Sequence, residues 1–126
     1  MNRFFLLILA FSANAYTAVH HPGDLLREIQ GSPHEGELIV KHFCAVCHAA
    51  HPQIMIGAPR MTHIEDWKPR LRQGLSRLFQ HTDEGLNAMP PRGGCFECTD
   101  AQLLLAIKSL IGKNGQKYIK ESKKTH

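Results

Sequence analysis

The sequence predicts an all-α domain of three main helices joined by long loops. Apolar residues recur at intervals of three and four in three separate segments, which is the spacing of one helix face. Each segment begins with Ser or Thr followed three residues later by Glu or Gln, a helix-capping pattern. No stretch alternates between apolar and polar residues for long enough to indicate a strand. The chain has 126 residues, of which aromatic residues supply only 7%, so it is sized for one domain with a thin core of its own.

The first fifteen residues have the pattern of a secretory signal peptide. Arg3 precedes an apolar run, Phe4 to Phe11, and Ala13-Asn14-Ala15 matches an A-x-A cleavage site. Eight apolar residues are too few for a membrane-spanning helix, which needs about 20. We therefore expect residues 1–15 to be removed on export, with an uncleaved anchor as the alternative. Residues 16–31 are expected to form a linker with at most one helical turn.

The first two helices are predicted from their capping patterns. Ser32 to Glu35 form a capping box with proline at the first helical position, so a helix is expected from Ser32 to about Cys47. A second capping pattern, Thr62 to Glu65, precedes Pro69, which would remove an early helical hydrogen bond. We therefore expect a short turn there and a helix from about Pro69 to Gln80.

The third helix is predicted to open at Thr99 and to end at Gly112. Thr99 and Gln102 form the capping pattern, and glycine is a common residue at a helix end. Between them lies an apolar stripe that consists of Leu103, Leu104, Ile107, Leu110 and Ile111. The folded domain is therefore expected to span residues 32–112.

The net charge of +4 is concentrated after this helix. Residues 16–112 contain nine Lys or Arg and ten Asp or Glu, whereas residues 113–126 contain five lysines and one glutamate. We expect a basic, mobile tail over residues 113–126. A nucleic-acid-binding domain would carry its cations on a folded face or among stacking aromatics, and this tail offers only Tyr118. Nucleic acid is therefore not an expected partner.

The motif Cys44-Ala45-Val46-Cys47-His48 is the signature of covalent haem attachment. On a helix, Cys44, Cys47 and His48 share one face, so two thiols can bond the haem while the imidazole binds its iron. A four-cysteine zinc site is less favoured, because 47 residues separate Cys47 from Cys95 and about 15 to 20 are usual. A thioredoxin-like thiol pair would need a preceding strand and a βαβ pattern.

Several residues are candidates for a second iron ligand. They are Met55, Met61, Met89, His51, His63 and His81. Met89 is favoured, because it lies 41 residues after His48 and precedes Pro90-Pro91 and Gly93-Gly94, a stiff and then permissive loop. A lone methionine more often fills a core, so this choice depends on the loop.

Four segments together resemble bacterial cytochrome c5, a branch of the class I cytochromes c. They are Cys44 to His48, Gly57-Ala58-Pro59, Trp67-x-x-Arg70 and the run from Ala88 to Asp100 with its second Cys-x-x-Cys. The resemblance covers about residues 35–110. It implies the class I cytochrome c fold, with long loops wrapped around one covalently bound haem c.

The resemblance also implies individual roles around that haem. His48 and Met89 would ligate the iron, with a His48 ring nitrogen donating to the Pro59 carbonyl. Trp67 would lie at the haem site. Cys95 and Cys98 would form a disulfide, and Gly36 would let the first and last helices cross closely.

The function that the resemblance implies is electron transfer rather than enzyme catalysis. A periplasmic carrier of this kind would exchange electrons with a terminal oxidase or another respiratory donor or acceptor. The lysine tail would offer a contact to an acidic partner or a membrane surface. Two alternatives stay open: a haem domain that binds a gas or peroxide, with His51 or His81 near the iron, and a subunit docked permanently in a respiratory complex.

Overall fold

The computed structural model describes residues 21–124, and this part of the chain is helical with no β-strand. The all-α class I cytochrome c prediction is confirmed. The elements in order are α1 (Pro22–Ile29), α2 (Glu35–Ile39), a π-helical turn (Val40–Cys44), α3 (Ala45–His48), α4 (Ile64–Leu71), α5 (Gly74–Glu84), a 3-10 turn (Pro91–Gly94) and α6 (Asp100–Ser122). Over residues 21–124, no helix is long and apolar enough to cross a membrane.

Helix α1 corrects the prediction of a linker with at most one helical turn. Its eight residues begin with Pro22, and they bury Leu26 and Ile29 in the core. The side-chain amide of Gln102 donates to the Leu26 carbonyl oxygen at 3.3 Å. The apolar residues of this helix are only Leu25, Leu26 and Ile29, and it is the burial of Leu26 and Ile29 in the core that makes the helix stable. The predicted signal peptide and residues 16–20 lie outside the described residues.

The first predicted helix starts at Glu35 rather than at Ser32. The Ser32 hydroxyl is buried without a hydrogen-bond partner among residues 21–124, so it caps nothing in the described structure. The Glu35 carboxylate instead accepts from the Gly31 backbone N–H at 2.8 Å and from the Gln102 amide at 3.0 Å. These contacts reach outside the helix, which is why the local capping pattern misplaced its start.

Helices α2 and α6 cross closely at Gly36. A Cβ atom there would lie 2.5 Å from the Leu105 carbonyl oxygen and 2.6 Å from the Ser109 hydroxyl oxygen. These separations are too short for any side chain, so the expected role of Gly36 is confirmed. The crossing holds the haem-attachment segment, which follows α2 through the π-helical turn, against the last helix.

The segment predicted as one helix from Pro69 to Gln80 forms two helices instead. Helix α4 runs through Pro69, whose missing N–H costs one hydrogen bond near the end of a short helix. The chain turns at Arg72 and Gln73, and α5 then begins at Gly74, where φ is +84°. Proline therefore did not delay the helix start, because burial of Trp67 and Leu71 holds α4 in place.

Helix α6 begins as predicted but continues beyond Gly112. Thr99 and Gln102 make both hydrogen bonds of the capping box, at 3.2 and 2.9 Å. Gly112, with φ at +63°, kinks the chain, and a second helical stretch continues to Ser122 and buries Gly115 and Ile119. The mobile tail was therefore a wrong prediction for residues 113–122, because apolar burial outweighs repulsion between the lysines.

Candidate haem-binding site

A single cavity brings together most of the predicted site residues. Cys44, Cys47 and His48 reach it from the π-helical turn and α3, and Met89 reaches it from the loop after α5. Apolar side chains from α2, α5, α6 and the π-helical turn complete the lining, namely Ile39, Phe43, Leu78, Leu103, Ala106, Ile107 and Leu110. Two thiols, an imidazole and a thioether around an apolar interior are a donor set that fits haem c.

His48 is held in one orientation and one tautomer. The Nδ1–H of His48 donates a hydrogen bond to the Pro59 carbonyl oxygen at 2.8 Å. The lone pair on Nε2 is therefore free to bind a metal. The Trp67 ring stacks on the imidazole with centroids 6.1 Å apart, and its Nε1–H donates to the Arg60 carbonyl oxygen at 2.8 Å. Burial lowers the pKa of His48 below its usual 6.5, so the ring is neutral and available as a ligand at pH 7.

The thiols of Cys44 and Cys47 are half-buried and are not joined to each other. Burial, and then the neighbouring Cys47, raises the pKa of Cys44 to about 11, so this thiol stays protonated at neutral pH. Among the described residues, no group of three or more His, Cys, Asp or Glu side chains is placed to hold a metal ion. A four-cysteine zinc site would also need Cys95 and Cys98 as free thiols, and these two are joined in a disulfide, so that alternative is wrong.

The six candidates for the second iron ligand separate clearly in the structure. Of the methionines in the described part of the chain, Met89 alone lines the cavity, whereas the Met55 side chain is 87% exposed and Met61 packs against the core. Of the candidate histidines there, only His81 lines the cavity, and His51 and His63 are exposed.

The Met89 loop is closed by backbone pairing. Leu86 and Met89 exchange two backbone hydrogen bonds of 3.0 and 2.9 Å. Gly85, the residue before this turn, has a φ of +84°, and a Cβ atom there would come within 2.7 Å of the Met89 carbonyl oxygen. Only glycine fits both the conformation and the space. The short pairing presents the methionine thioether at the cavity.

Cys95 and Cys98 form a disulfide, with their Cα atoms 5.4 Å apart. Both cysteines are buried, and the Cys98 backbone N–H donates to the Cys95 carbonyl oxygen at 3.2 Å. The disulfide closes the turn between the Met89 loop and the start of α6. It also removes the second Cys-x-x-Cys from any metal or thiol chemistry.

Two arginines that sequence reasoning did not assign also line the cavity. Arg92 binds the Cys98 carbonyl oxygen at 2.7 Å and forms ion pairs with Asp83 and Asp100. Arg70 donates to the Asp66 carbonyl oxygen at 2.8 Å from within α4. The motifs contain both residues, but the partners of Arg92 lie in α5, in the loop before α6 and at the start of α6, and no local spacing indicates them.

Known proteins match the same part of the chain. A profile of the family described as "Cytochrome C oxidase, cbb3-type, subunit III" matches residues 31–108. Cytochrome c5 of Azotobacter vinelandii is 34% identical over 84 residues, which cover 65% of this chain and 98% of that protein. Cytochrome c5 of Ectopseudomonas mendocina is 36% identical over 84 residues, or 65% of this chain and 92% of that protein.

The chain belongs to the cytochrome c5 family. The cofactor of the protein is therefore covalently bound haem c, and the role of the protein is electron transfer. A related protein, cytochrome c-555 of Chlorobaculum tepidum, is 33% identical over 75 residues, which cover 56% of this chain and 67% of that protein. In this chain, residues 113–124 lie beyond the region that the family profile matches.

Proposed function

We propose that this cytochrome is a periplasmic carrier that passes single electrons between respiratory partners, with His48 and Met89 as iron ligands. The observation that supports it best is the cavity itself, where both thiols, the imidazole and the thioether converge. Bound haem c supplies a one-electron iron couple. If His48 and Met89 both bind the iron, it would have no open site for a substrate, and the chemistry it would supply is outer-sphere transfer to a terminal oxidase or another respiratory partner.

His48 serves as a fixed neutral ligand. Its Nδ1–H bond to Pro59 aims Nε2 into the cavity, and burial beside Trp67 keeps water from the ring. A ligand that cannot rotate reorganises little when the charge on the iron changes. Fast electron exchange depends on such small reorganisation.

Met89 tunes the reduction potential. A neutral thioether favours ferrous over ferric iron more than a second imidazole would. The paired turn between Leu86 and Met89, together with the contacts of Arg92, holds the sulfur at the cavity. These contacts support a carrier rather than a domain that exchanges its sixth ligand.

The periplasmic location has two supports. The predicted signal peptide directs export, and the disulfide between Cys95 and Cys98 is typical of an oxidising compartment. Mass spectrometry of the native protein is expected to find one haem added to a chain that begins near Tyr16. A chain that retains Met1 in a membrane fraction would contradict the location.

The decisive test of the ligands is Met89→Ala. The ferric wild type is expected to show the weak long-wavelength band of sulfur-ligated haem, and the variant is expected to lose it. The reduction potential falls, and cyanide binds at least about tenfold faster, since a bond worth 1.4 kcal/mol accounts for that factor. Absorption spectra and stopped-flow mixing measure both changes.

Met55→Ala and Met61→Ala are the matched controls, and both should keep the band. A band that survives in Met89→Ala refutes the assignment. The alternative of a haem domain that binds a gas or peroxide is favoured only by His81, which also lines the cavity. If Met89→Ala leaves the wild-type spectrum unchanged and His81→Ala alters it, a second imidazole replaces the thioether in the assignment.

A further inference from the structure

The second half of α6 carries a row of lysines on one side. Lys113, Lys117 and Lys120 are exposed and recur at intervals of four and three, and Lys124 follows four residues later in the turn after the helix. Positions with this spacing lie one above another on a helix. We name these four residues the lysine row.

The lysine row is fixed to the body of the protein. Gly115 and Ile119 on the other side of the helix are buried, and Tyr118 packs against the core. A Cβ atom at Gly115 would lie 2.7 Å from the Cβ of Ile111 and 3.5 Å from Leu71. This stretch of α6 is thus within van der Waals distance of Leu71 in α4, and its buried side holds the cations in a constant position relative to the body of the protein.

Little in the described structure neutralises these charges. Lys117 lies 3.7 Å from Glu121, and both side chains are well exposed. In residues 21–124, the other three lysines of the row form no ion pair. Residues 113–124 contain five lysines and one glutamate, whereas residues 21–112 contain nine cationic and ten acidic residues. The positive charge is therefore concentrated at one end of the molecule and acts over several ångströms beyond it.

The exposed rim of the haem cavity, in contrast, carries no charged residue. Its exposed residues are all uncharged, namely Val46, Ile56, Gly57, Leu86, Asn87, Ala88 and Pro90. The α6 residues that line the cavity end at Leu110, three positions before Lys113. Arg70 and Arg92 also line the cavity, but both are half-buried, and Arg92 is paired with Asp83 and Asp100. The lysine row is therefore the nearest concentrated charge along α6.

We propose that the lysine row is a docking site for the acidic surface of a redox-partner protein. The inference rests on the proposed function as an electron carrier. A protein surface fits better than a lipid bilayer, because helices that bind membranes insert an apolar face. Here the apolar side of the helix faces the core, and no large hydrophobic residue of 113–124 is exposed.

Charge reversal within the row tests the proposal. Lys117→Glu/Lys120→Glu is compared with Lys41→Glu/Lys108→Glu, which makes the same change of net charge at exposed lysines outside residues 113–124. Binding of the intact holoprotein to poly-L-glutamate, as the acidic probe, is titrated at low and high salt. We expect the row variant to lose at least tenfold in affinity at low salt and the control variant to stay within twofold of the wild type.

Equal losses in the two variants would overturn the proposal, because net charge alone would then explain binding. It would also fail if vesicles with one-third phosphatidylglycerol bound the wild type more tightly than poly-L-glutamate does, since the row would then be a lipid site. The absorption spectrum and the reduction potential of each variant are measured alongside. A protein without a reversible one-electron couple contradicts the carrier function, whereas altered poly-L-glutamate binding with a normal couple concerns the row alone.

Discussion

At the residue scale, Arg92 shows how one side chain can hold a ligand loop. Its backbone adopts a left-handed conformation with φ at +56°, which is unusual for a residue with a side chain. The guanidinium compensates by binding Asp83 of α5, the Cys98 carbonyl oxygen and Asp100 at the start of α6. This side chain thereby ties the 3-10 turn that follows Met89 to α5 and to the start of α6.

We predict that Arg92→Gln loosens this loop without removing the haem. Loss of the contacts to Asp83 and Asp100 costs on the order of 1 to 2 kcal/mol, so cyanide should displace the thioether about tenfold faster. Stopped-flow mixing with the ferric protein measures the rate. Arg77→Gln is the control, because Arg77 of α5 donates to the exposed Gln80 side chain and not to the Met89 loop. Identical cyanide rates in the two variants would refute a positioning role for Arg92.

At the element scale, α6 is two helical stretches separated by Gly112. The first stretch lines the cavity with Leu103, Ala106, Ile107 and Leu110, and the second buries Ile119 beside α4. Gly112 makes the change of direction possible, since its φ of +63° and ψ of −176° lie outside the helical region. The second stretch depends for its stability on this packing, because a free helix of about ten residues is marginal in water.

We predict that Ile119→Ala destabilises the fold by about 2 kcal/mol, the lower part of the range for a buried isoleucine replaced by alanine. The haem spectrum should be unchanged, because Ile119 does not line the cavity. Urea unfolding followed by circular dichroism measures the change. Lys120→Ala, one position away and exposed, is the control and should have little effect. A neutral Ile119→Ala would show that the second stretch of α6 is not anchored.

At the scale of the whole molecule, stability depends on pH partly through the loop that holds His48. Arg60 binds the Asp66 carboxylate through Nε at 2.8 Å, and this loop also contains Pro59, the acceptor for His48. The Arg60 guanidinium, and then the Arg60 backbone N–H, lower the pKa of Asp66 to about 2. A depressed pKa stabilises the folded state above the unfolded value of about 3.9, and the effect is lost as the pH falls through about 2.

We predict that the coupling between Arg60 and Asp66 disappears in acid. A double-mutant cycle with Arg60→Gln and Asp66→Asn should give a measurable coupling free energy at pH 7, a shrinking one from pH 4 downward, and none below pH 2. The pair is exposed, so the coupling is expected to be small. Urea unfolding of the four proteins across this range gives the values. A coupling that is the same at pH 7 and pH 2 would contradict the hydrogen-bonded ion pair.

The whole molecule also explains which predictions from sequence succeeded. The haem signature, the capping box at Thr99 and the apolar spacing of α6 involve residues within one or two helical turns of each other. Such patterns can be recognised in the sequence because their partners are fixed by helix geometry. The start of α2 was misplaced because Glu35 finds its partner in Gln102, 67 residues away.

The sequence by itself determined the helical class and the cofactor, and it predicts the points of attachment, since these depend on neighbours along the chain. Only the tertiary structure decided that α1 is a helix, that residues 113–122 pack on the body and that Arg92 joins three elements. It also placed Met89, and not Met55, at the cavity. The physical reason is that burial and ion pairing are properties of two surfaces at once. The stability of α1 and the fixed position of the lysine row therefore depend on partners that lie far away in the chain.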